Sequence, residues 1–222
     1  MKLALFDLDH TLLPLDSDYA WGDFVVTLGW RAAEAQTHAN DYFYEQYKAG
    51  TLDINEYIRF SVDAVRERGV AAADEAHRRF MREIIEPAIR PEALDLVRAH
   101  QSAGDEVMIV TATNEFVTRP IAQAFGVDEL IAIELERDAQ GNPTGAIRGT
   151  PSFREGKVAR VEQWLSARGL DWSRVEHSTF YSDSINDLPL MEKVHEPVAT
   201  NPDARLRSIA AERGWRILNL FE

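Results

Sequence analysis

The chain begins with Lys2-Leu3-Ala4-Leu5-Phe6-Asp7-Leu8-Asp9-His10-Thr11, an apolar run that stops at two carboxylates. The run from Leu3 to Phe6 is too short for a helix but long enough for a strand that is buried on both faces. Asp7 and Asp9 then stand at the C-terminal end of this strand. Ligands bind in the crevice at those ends in an open parallel sheet, so both aspartates are active-site candidates.

The spacing of the two aspartates allows two interpretations. Residues two apart in an extended segment point the same way, so Asp7 and Asp9 would converge on one small volume, where their charges repel unless a cation lies between them. Alternatively, the pair only ends a strand and opens a turn, because Asp is a common turn residue. These ten residues favour neither interpretation, and the rest of the chain has to decide.

The composition narrows the range of partners. Of the 222 residues, 24 are Lys or Arg and 37 are Asp or Glu, which gives a net charge of −13. Such a chain lacks the basic clusters that hold phosphate backbones, so no nucleic-acid partner is expected. An anionic substrate would need a few locally placed cations. The chain contains no cysteine, which excludes disulfides, thiolate zinc sites and cysteine nucleophiles.

The location of the protein is predicted from what the sequence lacks. No stretch approaches the roughly 20 apolar residues of a membrane span, and the N-terminus lacks the pattern of a cleaved signal. We therefore expect a cytoplasmic protein without a membrane span. The sequence leaves its oligomeric state open.

Residues 16–86 are predicted to form a helical insertion. Apolar residues recur at helical spacing, Asp53-Ile54-Asn55-Glu56 has the form of a capping box, and strand signals are missing. The first helix is expected to be capped near Ser17 or Asp18. The many aromatic side chains of this segment are interpreted as core rather than as a ligand-binding surface.

Helices and strands alternate beyond Pro91. Helices are predicted at 92–102, 116–125 and 158–167, strands at 106–110, 130–133, 178–182 and 198–199, a two-stranded excursion at 134–149, and a last apolar segment at 215–218. Asn201-Pro202 predicts the N-terminal cap of a further helix. The alternation predicts an α/β fold with a doubly wound parallel sheet, built from residues 1–15 and 87–222.

Polar clusters stand at the ends of three predicted strands. The clusters are Asp7 with Asp9, residues 111–114, and Asp183 with Asn186 and Asp187, while Lys157 stands at a helix start. If the strands are parallel neighbours, the clusters share one rim of the sheet. Oxygen ligands without His or Cys suit Mg²⁺, which keeps several waters and uses one or two carboxylates plus substrate phosphate.

The four motifs resemble those of the haloacid dehalogenase superfamily of phosphatases. They are Asp-x-Asp-x-Thr at 7–11, the hydroxyl residue Thr111 at the end of the second strand, the helix-start residue Lys157, and Asp-x-x-x-Asp at 183–187. A helical insertion directly after the first motif resembles the phosphoserine phosphatase-like branch, which includes histidinol-phosphate phosphatases. The resemblance covers nearly the whole chain and implies a Rossmann-like core, with residues 16–86 as its cap domain.

The resemblance implies a division of labour between the first two carboxylates. Asp7 would be the nucleophile that forms an aspartyl phosphate. Asp9 would protonate the leaving alcohol and then activate water, so its side chain should stay off the metal. Mg²⁺ would be held by the Asp7 carboxylate, the Asp9 backbone carbonyl and Asp183.

The other motifs are implied to bind phosphate and to orient their neighbours. Thr111, the backbone N–H of Ala112 and Lys157 would bind the phosphoryl group. Asn186 and Asp187 would orient metal-bound waters and Lys157. Asp187 could instead coordinate the metal through water, and both alternatives stay open.

The expected substrate is a small phosphorylated molecule, and departures from the family pattern bear on its identity. Asp16 stands where phosphoserine phosphatases carry a Glu that binds the substrate ammonium, and Thr-Ala-Thr-Asn at 111–114 replaces the frequent Ser-Gly-Gly. We therefore expect a phosphomonoester with an amine, such as phosphoserine or histidinol phosphate, with phosphoserine itself less favoured. Asp16, Asp18 and Asn114 are the candidate substrate contacts.

Two alternative functions are kept. The aromatic first cap helix would also suit a lipid or another bulky phosphate. A non-catalytic phosphate-binding regulatory module is the alternative from another class, but such a module does not need an acid–base carboxylate in addition to a nucleophile.

Overall fold

A six-stranded parallel sheet organises the computed structural model, which describes residues 1–221. The strands are β1 (Lys2–Phe6), β2 (Glu106–Asn114), β3 (Glu129–Ile133), β4 (Leu135–Arg137), β5 (Pro143–Ile147), β6 (His177–Ser182), β7 (Glu196–Thr200) and β8 (Arg216–Leu218). The strand order is β3-β2-β1-β6-β7-β8, and β4 pairs with β5 in a separate antiparallel hairpin. The predicted α/β class with a doubly wound parallel sheet is confirmed.

Helices connect these strands and fill the long segment after β1. They are α1 (Ser17–Thr27), α2 (Ala33–Ala49), α3 (Ile54–Arg68), α4 (Val70–Phe80), α5 (Glu86–Ala88), α6 (Pro91–Ser102), α7 (Glu115–Ala124), α8 (Glu155–Ala167), α9 (Leu188–Met191) and α10 (Ala204–Arg213). A π-helical turn, Met81–Ile85, joins α4 to α5, and 3₁₀ turns lie at Trp172–Arg174 and Ile185–Asp187. Among residues 1–221, no helix has the length and apolar character to cross a membrane.

The side chains of β1 enter two hydrophobic clusters on opposite faces of the sheet. Leu3 and Leu5 belong to the cluster beneath α8, whereas Ala4 and Phe6 belong to the one that includes α1, α4, α6 and α7. All four side chains are buried. Successive strand residues point to opposite faces, so a strand covered on both faces is apolar at every position. Asp7, the first carboxylate, directly follows β1 and is itself buried.

Helices of the insertion share one hydrophobic core with the sheet. The Trp21 ring centroid in α1 lies 5.4 Å from those of His77 and Phe80 in α4, and 5.5 Å from that of Phe116 in α7. Residues 16–86 therefore pack onto the sheet through an aromatic cluster. The division of the chain into a core and a cap remains a prediction.

The interpretation of the insertion aromatics as core is only partly correct. Trp21 and Phe24 are buried, but Tyr42 and Tyr44 of α2 are 45% and 43% exposed. Helical spacing alone did not distinguish the two groups, because the faces of α2 turn towards different surroundings. One face of α2 borders a pocket described below.

Two predicted helix caps are wrong. The N-cap of α1 is Asp16, whose Oδ1 accepts hydrogen bonds from the N–H groups of Asp18 and Tyr19 at 3.0 and 2.8 Å. The N-cap of α10 is Asp203 rather than Asn201. Asn201 has a left-handed φ of +47° and its amide donates to the His10 carbonyl, so it ends β7 instead of starting a helix.

The predicted excursion at 134–149 is the hairpin of β4 and β5, and it packs against the insertion. Ile133 and Leu135 share a small hydrophobic cluster with Ile58 and Val62 of α3. Asn142 in the hairpin turn accepts a hydrogen bond from the Val70 N–H at the start of α4. The hairpin thus connects the sheet to α3 and α4.

Truncating Trp21 should destabilise the whole protein. Trp21→Ala removes a large side chain that is 2% exposed and leaves a cavity between α1, α4 and α7, which we expect to cost about 3–5 kcal/mol of unfolding free energy. Urea unfolding followed by circular dichroism measures this loss. The control Tyr42→Ala, at an exposed aromatic residue of α2, should change the unfolding free energy by less than about 0.5 kcal/mol. Equal losses in both variants would contradict the assigned core.

Candidate active site

The order of the three central strands brings the predicted motifs together. β1 pairs with β2 on one side, with Phe6 opposite Ile109, and with β6 on the other, with Phe6 opposite Tyr181. The chain continues from these positions into Asp7, residues 111–114 and Asp183. The three motifs therefore meet at one edge of the sheet, at the C-terminal ends of neighbouring strands.

Lys157 joins two buried carboxylates. Its Nζ lies 2.8 Å from Asp7 Oδ1 and 2.7 Å from Asp187 Oδ2, and the side chain is 2% exposed. Burial lowers the pKa of Lys157, but attraction to Asp187 and Asp7 outweighs burial and leaves its pKa above the usual value. Lys157 is therefore a permanent cation beside Asp7. Burial raises the pKa of Asp187 to about 6, against the opposing effect of Lys157.

Helix α8 delivers this lysine because a glycine precedes it. A Cβ on Gly156 would lie 1.9 Å from the Pro151 carbonyl oxygen, so only glycine lets the helix start approach residues 150–152 this closely. In the same loop, Ser152 Oγ donates to the Thr111 carbonyl at 2.7 Å. The loop thus ties the start of α8 to the end of β2.

Asp7 and Asp183 face each other across the Thr11 hydroxyl. Thr11 Oγ1 lies 3.4 Å from Asp7 Oδ2 and 3.3 Å from Asp183 Oδ1, and it accepts from the Asp183 N–H at 3.1 Å. Burial, followed by repulsion from Asp7, raises the pKa of Asp183 well above its usual range. Burial also raises the pKa of Asp7, and Lys157 opposes that rise. A further cation between the two carboxylates would offset their mutual repulsion.

The donors between these carboxylates fit Mg²⁺ chemically. Within residues 1–221, no three His, Cys, Asp or Glu side chains are grouped so that they would hold a metal ion by themselves. Mg²⁺ does not need three, because it binds through one or two carboxylates and keeps waters and substrate oxygens as its other ligands. Asp7 and Asp183 supply two carboxylates, and their mutual repulsion favours a bound cation.

Asp9 has hydrogen-bond donors of its own, different from the partners of Asp7 and Asp183. Its Oδ1 accepts from the Ser17 N–H at 2.8 Å and its Oδ2 accepts from Thr113 Oγ1 at 2.8 Å. Burial and then repulsion from Asp16 raise the pKa of Asp9 to about 6. Both carboxylate oxygens of Asp9 are engaged by donors, and a pKa near neutrality suits a group that gives and takes a proton.

Thr111 and Ala112 lie in the wall of a pocket together with Asp7 and Asp9. Thr111 Oγ1 accepts from the Thr113 N–H at 3.1 Å, which leaves its own hydrogen free to donate. A phosphoryl oxygen at this edge of the sheet could receive that hydrogen. Thr113, which was not singled out from the sequence, points the same way as Thr111 because strand side chains alternate.

Asp187 and Asn186 have different partners. Asp187 Oδ2 accepts from Lys157 and, at 2.7 Å, from Ser182 Oγ. The Asn186 amide donates instead to the Tyr47 carbonyl in α2 at 3.1 Å. The structure therefore places Asn186 against the insertion rather than against Lys157.

The three candidate substrate contacts, Asp16, Asp18 and Asn114, do not lie together in the structure. Asp16 lies in the pocket wall, while Asp18 and Asn114 lie outside it and bond to each other at 3.3 Å. Asp18 Oδ2 accepts a hydrogen bond of 2.6 Å from Tyr57 of α3. Burial raises the pKa of Asp18 to about 7, and the Tyr57 hydrogen bond opposes the rise. Asp18 and Asn114 thus form a buried contact between α1, α3 and β2.

Helix α2 supplies a pocket wall that sequence reasoning did not find. Residues of α2 in this wall are Asn40, Phe43, Tyr44, Tyr47 and Lys48. Positions 40, 43, 44 and 47 recur at helical spacing and form one face of α2. This periodicity was the available signal, but it is the same periodicity that predicts core packing. Tyr47 also donates to Ser184 Oγ at 3.0 Å, beside Asp183.

Comparison with known proteins tests the resemblance drawn from the motifs. A family model described as haloacid dehalogenase-like hydrolase matches residues 4–192. A histidinol-phosphatase of Neisseria meningitidis serogroup C is 43% identical over 98% of each chain. A phosphoserine phosphatase of Mycobacterium tuberculosis is 31% identical over 96% of this chain and 69% of its own length. These similarities confirm the predicted family.

Solved structures agree with the fold. A protein of unknown function from Bordetella pertussis Tohama I has a TM-score of 0.93 and 49% identity, with 99% of each chain covered. A substrate-bound phosphoserine phosphatase complex has a TM-score of 0.69 over 98% of this chain and 92% of its own. At 16% identity the second similarity concerns the fold alone.

Displacing the start of α8 should impair any reaction that uses Lys157. Gly156→Ala forces the start of α8 away from the Pro151 carbonyl and moves the Lys157 ammonium with it. We therefore expect at least about a tenfold loss of catalytic efficiency. Steady-state kinetics and thermal unfolding measure the two consequences. Gly169→Ala, at a surface turn with free space around the glycine, should destabilise without a comparable kinetic loss. Unchanged kinetics in Gly156→Ala would contradict the close approach.

Asp18 should make stability depend on pH in the absence of divalent cations. Its pKa of about 7 in the folded chain exceeds the roughly 3.9 of an unfolded Asp, so the folded state holds a proton that the unfolded state has lost. Stability therefore falls as pH rises from about 4 to 7. Asp18→Asn stays neutral, and the difference in unfolding free energy between pH 5 and pH 8 should shrink by about 2 kcal/mol or more. Urea unfolding at both pH values measures it, and an unchanged difference would refute the assignment.

Proposed function

Because the chain belongs to the haloacid dehalogenase-like hydrolase family and is thus an enzyme, we propose that it is a magnesium-dependent phosphatase acting on a small phosphomonoester. The proposed reaction passes through an aspartyl phosphate on Asp7. The observation that carries this proposal is the buried Lys157 bonded to Asp7, at the strand edge shared with Asp183. A cytoplasmic location remains a prediction from the sequence.

Asp7 is the proposed nucleophile. A carboxylate attacks phosphorus only in its charged form, and the permanent cation of Lys157 at 2.8 Å opposes the effect of burial on the Asp7 pKa. The same ammonium offsets repulsion between an anionic nucleophile and an anionic phosphoryl group. Asp187 holds the ammonium from the other side at 2.7 Å, so Lys157 has a fixed position.

Asp9 is the proposed acid and base. Its carboxyl must be protonated when the alcohol leaves and unprotonated when water attacks the aspartyl phosphate. A pKa of about 6 allows both forms near neutrality. The Thr113 hydroxyl and the Ser17 N–H fix its orientation. Both oxygens of the Asp9 carboxylate therefore already accept hydrogen bonds from protein donors.

Asp7, Asp183 and the Asp9 backbone carbonyl are the proposed ligands of Mg²⁺. When bound, the ion would neutralise charge on the phosphoryl oxygens and polarise the phosphorus. Thr111, the Ala112 N–H and Lys157 would bind the remaining phosphoryl oxygens. The family often uses this ion, and the pair of repelling carboxylates supports its binding here.

The proposed substrate carries an amine on the leaving alcohol. Asp16 lies in the pocket wall one helical turn from Tyr19, and its carboxylate would bind an ammonium group. The histidinol-phosphatase of Neisseria meningitidis, matched over 98% of both chains, favours histidinol phosphate as the first compound to test. A screen that also contains phosphoserine, glycerol phosphates and lipid phosphates tests the bulky-substrate alternative.

Changing Asp7 or Asp9 to asparagine should impair the reaction at different steps. Asp7→Asn should abolish the covalent intermediate and lower kcat by at least about 10³-fold, since the nucleophile is lost. Asp9→Asn should slow formation and breakdown of the intermediate by roughly 10²-fold or more, with Mg²⁺ affinity largely kept. Phosphatase assays with p-nitrophenyl phosphate, with and without EDTA, and calorimetric titration with Mg²⁺ measure these effects.

Asp95→Asn serves as the matched control because its side chain is 76% exposed on α6. It should retain parental kinetics. A parent protein that is inert with and without Mg²⁺ would overturn the phosphatase proposal and favour the non-catalytic binding module. Loss of Mg²⁺ affinity in Asp9→Asn as severe as in Asp183→Ala would overturn the division of roles.

A further inference from the structure

The loop of residues 183–187 is hydrogen-bonded to the insertion through a single residue, Tyr47, near the end of α2. The Tyr47 hydroxyl donates to Ser184 Oγ at 3.0 Å, and the Tyr47 carbonyl accepts from Asn186 Nδ2 at 3.1 Å. In the part of the chain that the structure describes, no other residue of the insertion makes a hydrogen bond to this loop. The position of the loop relative to α2 therefore depends on Tyr47.

The contacted loop carries a proposed metal ligand. Asp183 begins the loop, and Ser184, which receives the Tyr47 hydroxyl, follows it directly. Ser184 Oγ also accepts from the Asn186 N–H at 3.2 Å and so caps the 3₁₀ turn of this loop. Ser184 and Asn186 are both buried, with 5% and 6% of their surface exposed. A displacement of Ser184 would therefore move the adjoining backbone of Asp183.

The end of α2 that presents Tyr47 is held by two arginines from outside the insertion. Arg205 Nη1 of α10 donates to the Lys48 carbonyl at 3.0 Å. Gly50, the C-cap of α2, lies so close to Arg154 that an added Cβ would be 2.5 Å from Arg154 Nη2. Cations near a helix C-terminus interact favourably with its unpaired carbonyl groups. Tyr47 thus reaches the loop from a helix end that is itself fixed.

The Tyr47 phenol lies near the carboxylates of the site and keeps its proton there. Burial, followed by repulsion from Asp187, Asp183 and Asp7, raises its pKa well above the usual value. A phenol that keeps its proton remains a hydrogen-bond donor. Tyr47 also lies in the pocket wall together with Asp183 and Ser184. A test must therefore separate the bond from the hydroxyl to the loop from a contact between the ring and the substrate.

We propose that Tyr47 is a positioning residue that holds the loop of residues 183–187 in the form in which Asp183 binds Mg²⁺. This inference rests on the proposed magnesium-dependent function and assigns a residue of the insertion to the support of the metal site. Side chains that orient a metal ligand change metal affinity without touching the ion. Coupling between two sites is reciprocal, so bound Mg²⁺ should in turn stabilise the end of α2.

Removing the Tyr47 hydroxyl tests the effect on the metal. Tyr47→Phe keeps the ring in the pocket wall and removes only the donor to Ser184. We expect the Mg²⁺ dissociation constant, measured by calorimetric titration, to rise about threefold to tenfold, because one hydrogen bond to the loop is lost. Hydrolysis of p-nitrophenyl phosphate should slow at low Mg²⁺ and return to within about threefold of the parent at saturating Mg²⁺.

A double-mutant cycle shows whether the hydroxyl acts through Ser184. Ser184→Ala alone should weaken Mg²⁺ binding, and adding Tyr47→Phe to it should change the dissociation constant by less than about twofold further. Tyr42→Phe removes the same group from an exposed position of α2 and should keep the parental Mg²⁺ affinity. Fully additive effects of the two changes would overturn the action through Ser184.

Hydrogen exchange tests the reciprocal effect without turnover. At the end of α2, the Gly50 and Thr51 N–H groups donate to the carbonyls of Tyr47 and Gln46. In the parent, saturating Mg²⁺ should slow exchange of these amides by about threefold or more, and Tyr47→Phe should reduce this protection. Exchange at the end of α6 should not respond to Mg²⁺. Equal exchange at the end of α2 with and without Mg²⁺ in the parent would refute the coupling.

The outcomes separate this inference from the proposed function. An active parent that binds Mg²⁺ with the same affinity as Tyr47→Phe would overturn the inference and leave the phosphatase standing. A KM for p-nitrophenyl phosphate that is raised in Tyr47→Phe at every Mg²⁺ concentration would make Tyr47 a substrate contact and would also overturn it. A parent that binds no Mg²⁺ would overturn the proposed metal, and this inference with it.

Discussion

One buried ammonium, shared by two buried carboxylates, is the interaction on which the rest of the site depends. Lys157 bonds to Asp7 and Asp187, and the carboxylate of Asp183 adjoins them across Thr11. Three carboxylates and one ammonium give a local formal charge of −2 when all are ionised. Burial of unpaired charge is costly, so the arrangement persists only with compensating cations or protons. In the proposed function, a bound metal ion supplies this compensation and makes the site receptive to an anionic phosphate.

The sheet topology brings these charged side chains together. The ammonium and the carboxylates must meet although they are up to 180 positions apart in the sequence (Asp7 to Asp187), and parallel neighbours with aligned ends achieve that. β1 lies between β2 and β6, so its C-terminal end has motifs on both sides. The lysine comes from a different element, a helix start, and reaches the carboxylates because Gly156 permits close approach. The aligned strand ends and the close approach at Gly156 therefore place the ammonium and the carboxylates at the same edge of the sheet.

The sequence was sufficient for the parts of the site that lie at strand ends. An apolar run that stops at Asp7, a hydroxyl residue at Thr111 and the acidic pair Asp183 and Asp187 all mark places where apolar residues give way to polar ones, and that change is visible in the local sequence. Thr113 could have been found from the alternation of β2, had the strand been extended to Asn114 as the structure has it. Its bond to Asp9 depends on that extension.

The sequence was insufficient for the wall contributed by α2. Asn40 and Tyr47 recur on a helical face, and a face that borders a pocket has the same period as one that borders a core. Which of the two it borders depends on how α1 and α2 pack. The two helices approach closely at Gly22 of α1, where an added Cβ would lie 2.3 Å from Gln36 Nε2 of α2. The caps of α1 and α10 were misplaced for a related reason, since several neighbouring polar residues are competent caps and tertiary contacts select one.

The first turn of α1 contacts both the proposed acid–base residue Asp9 and the pocket wall that would bind the leaving alcohol. The Ser17 N–H holds the Asp9 carboxylate, Asp16 caps the same helix and lies in the pocket wall, and Tyr19 follows in that wall one turn later. Any movement of α1 that improves contact with the leaving alcohol therefore also changes the donor that keeps Asp9 oriented and its pKa near 6. In the proposed reaction, selection of the alcohol and transfer of its proton would thus both depend on the start of α1. A substrate that fits the wall poorly should lose turnover as well as affinity.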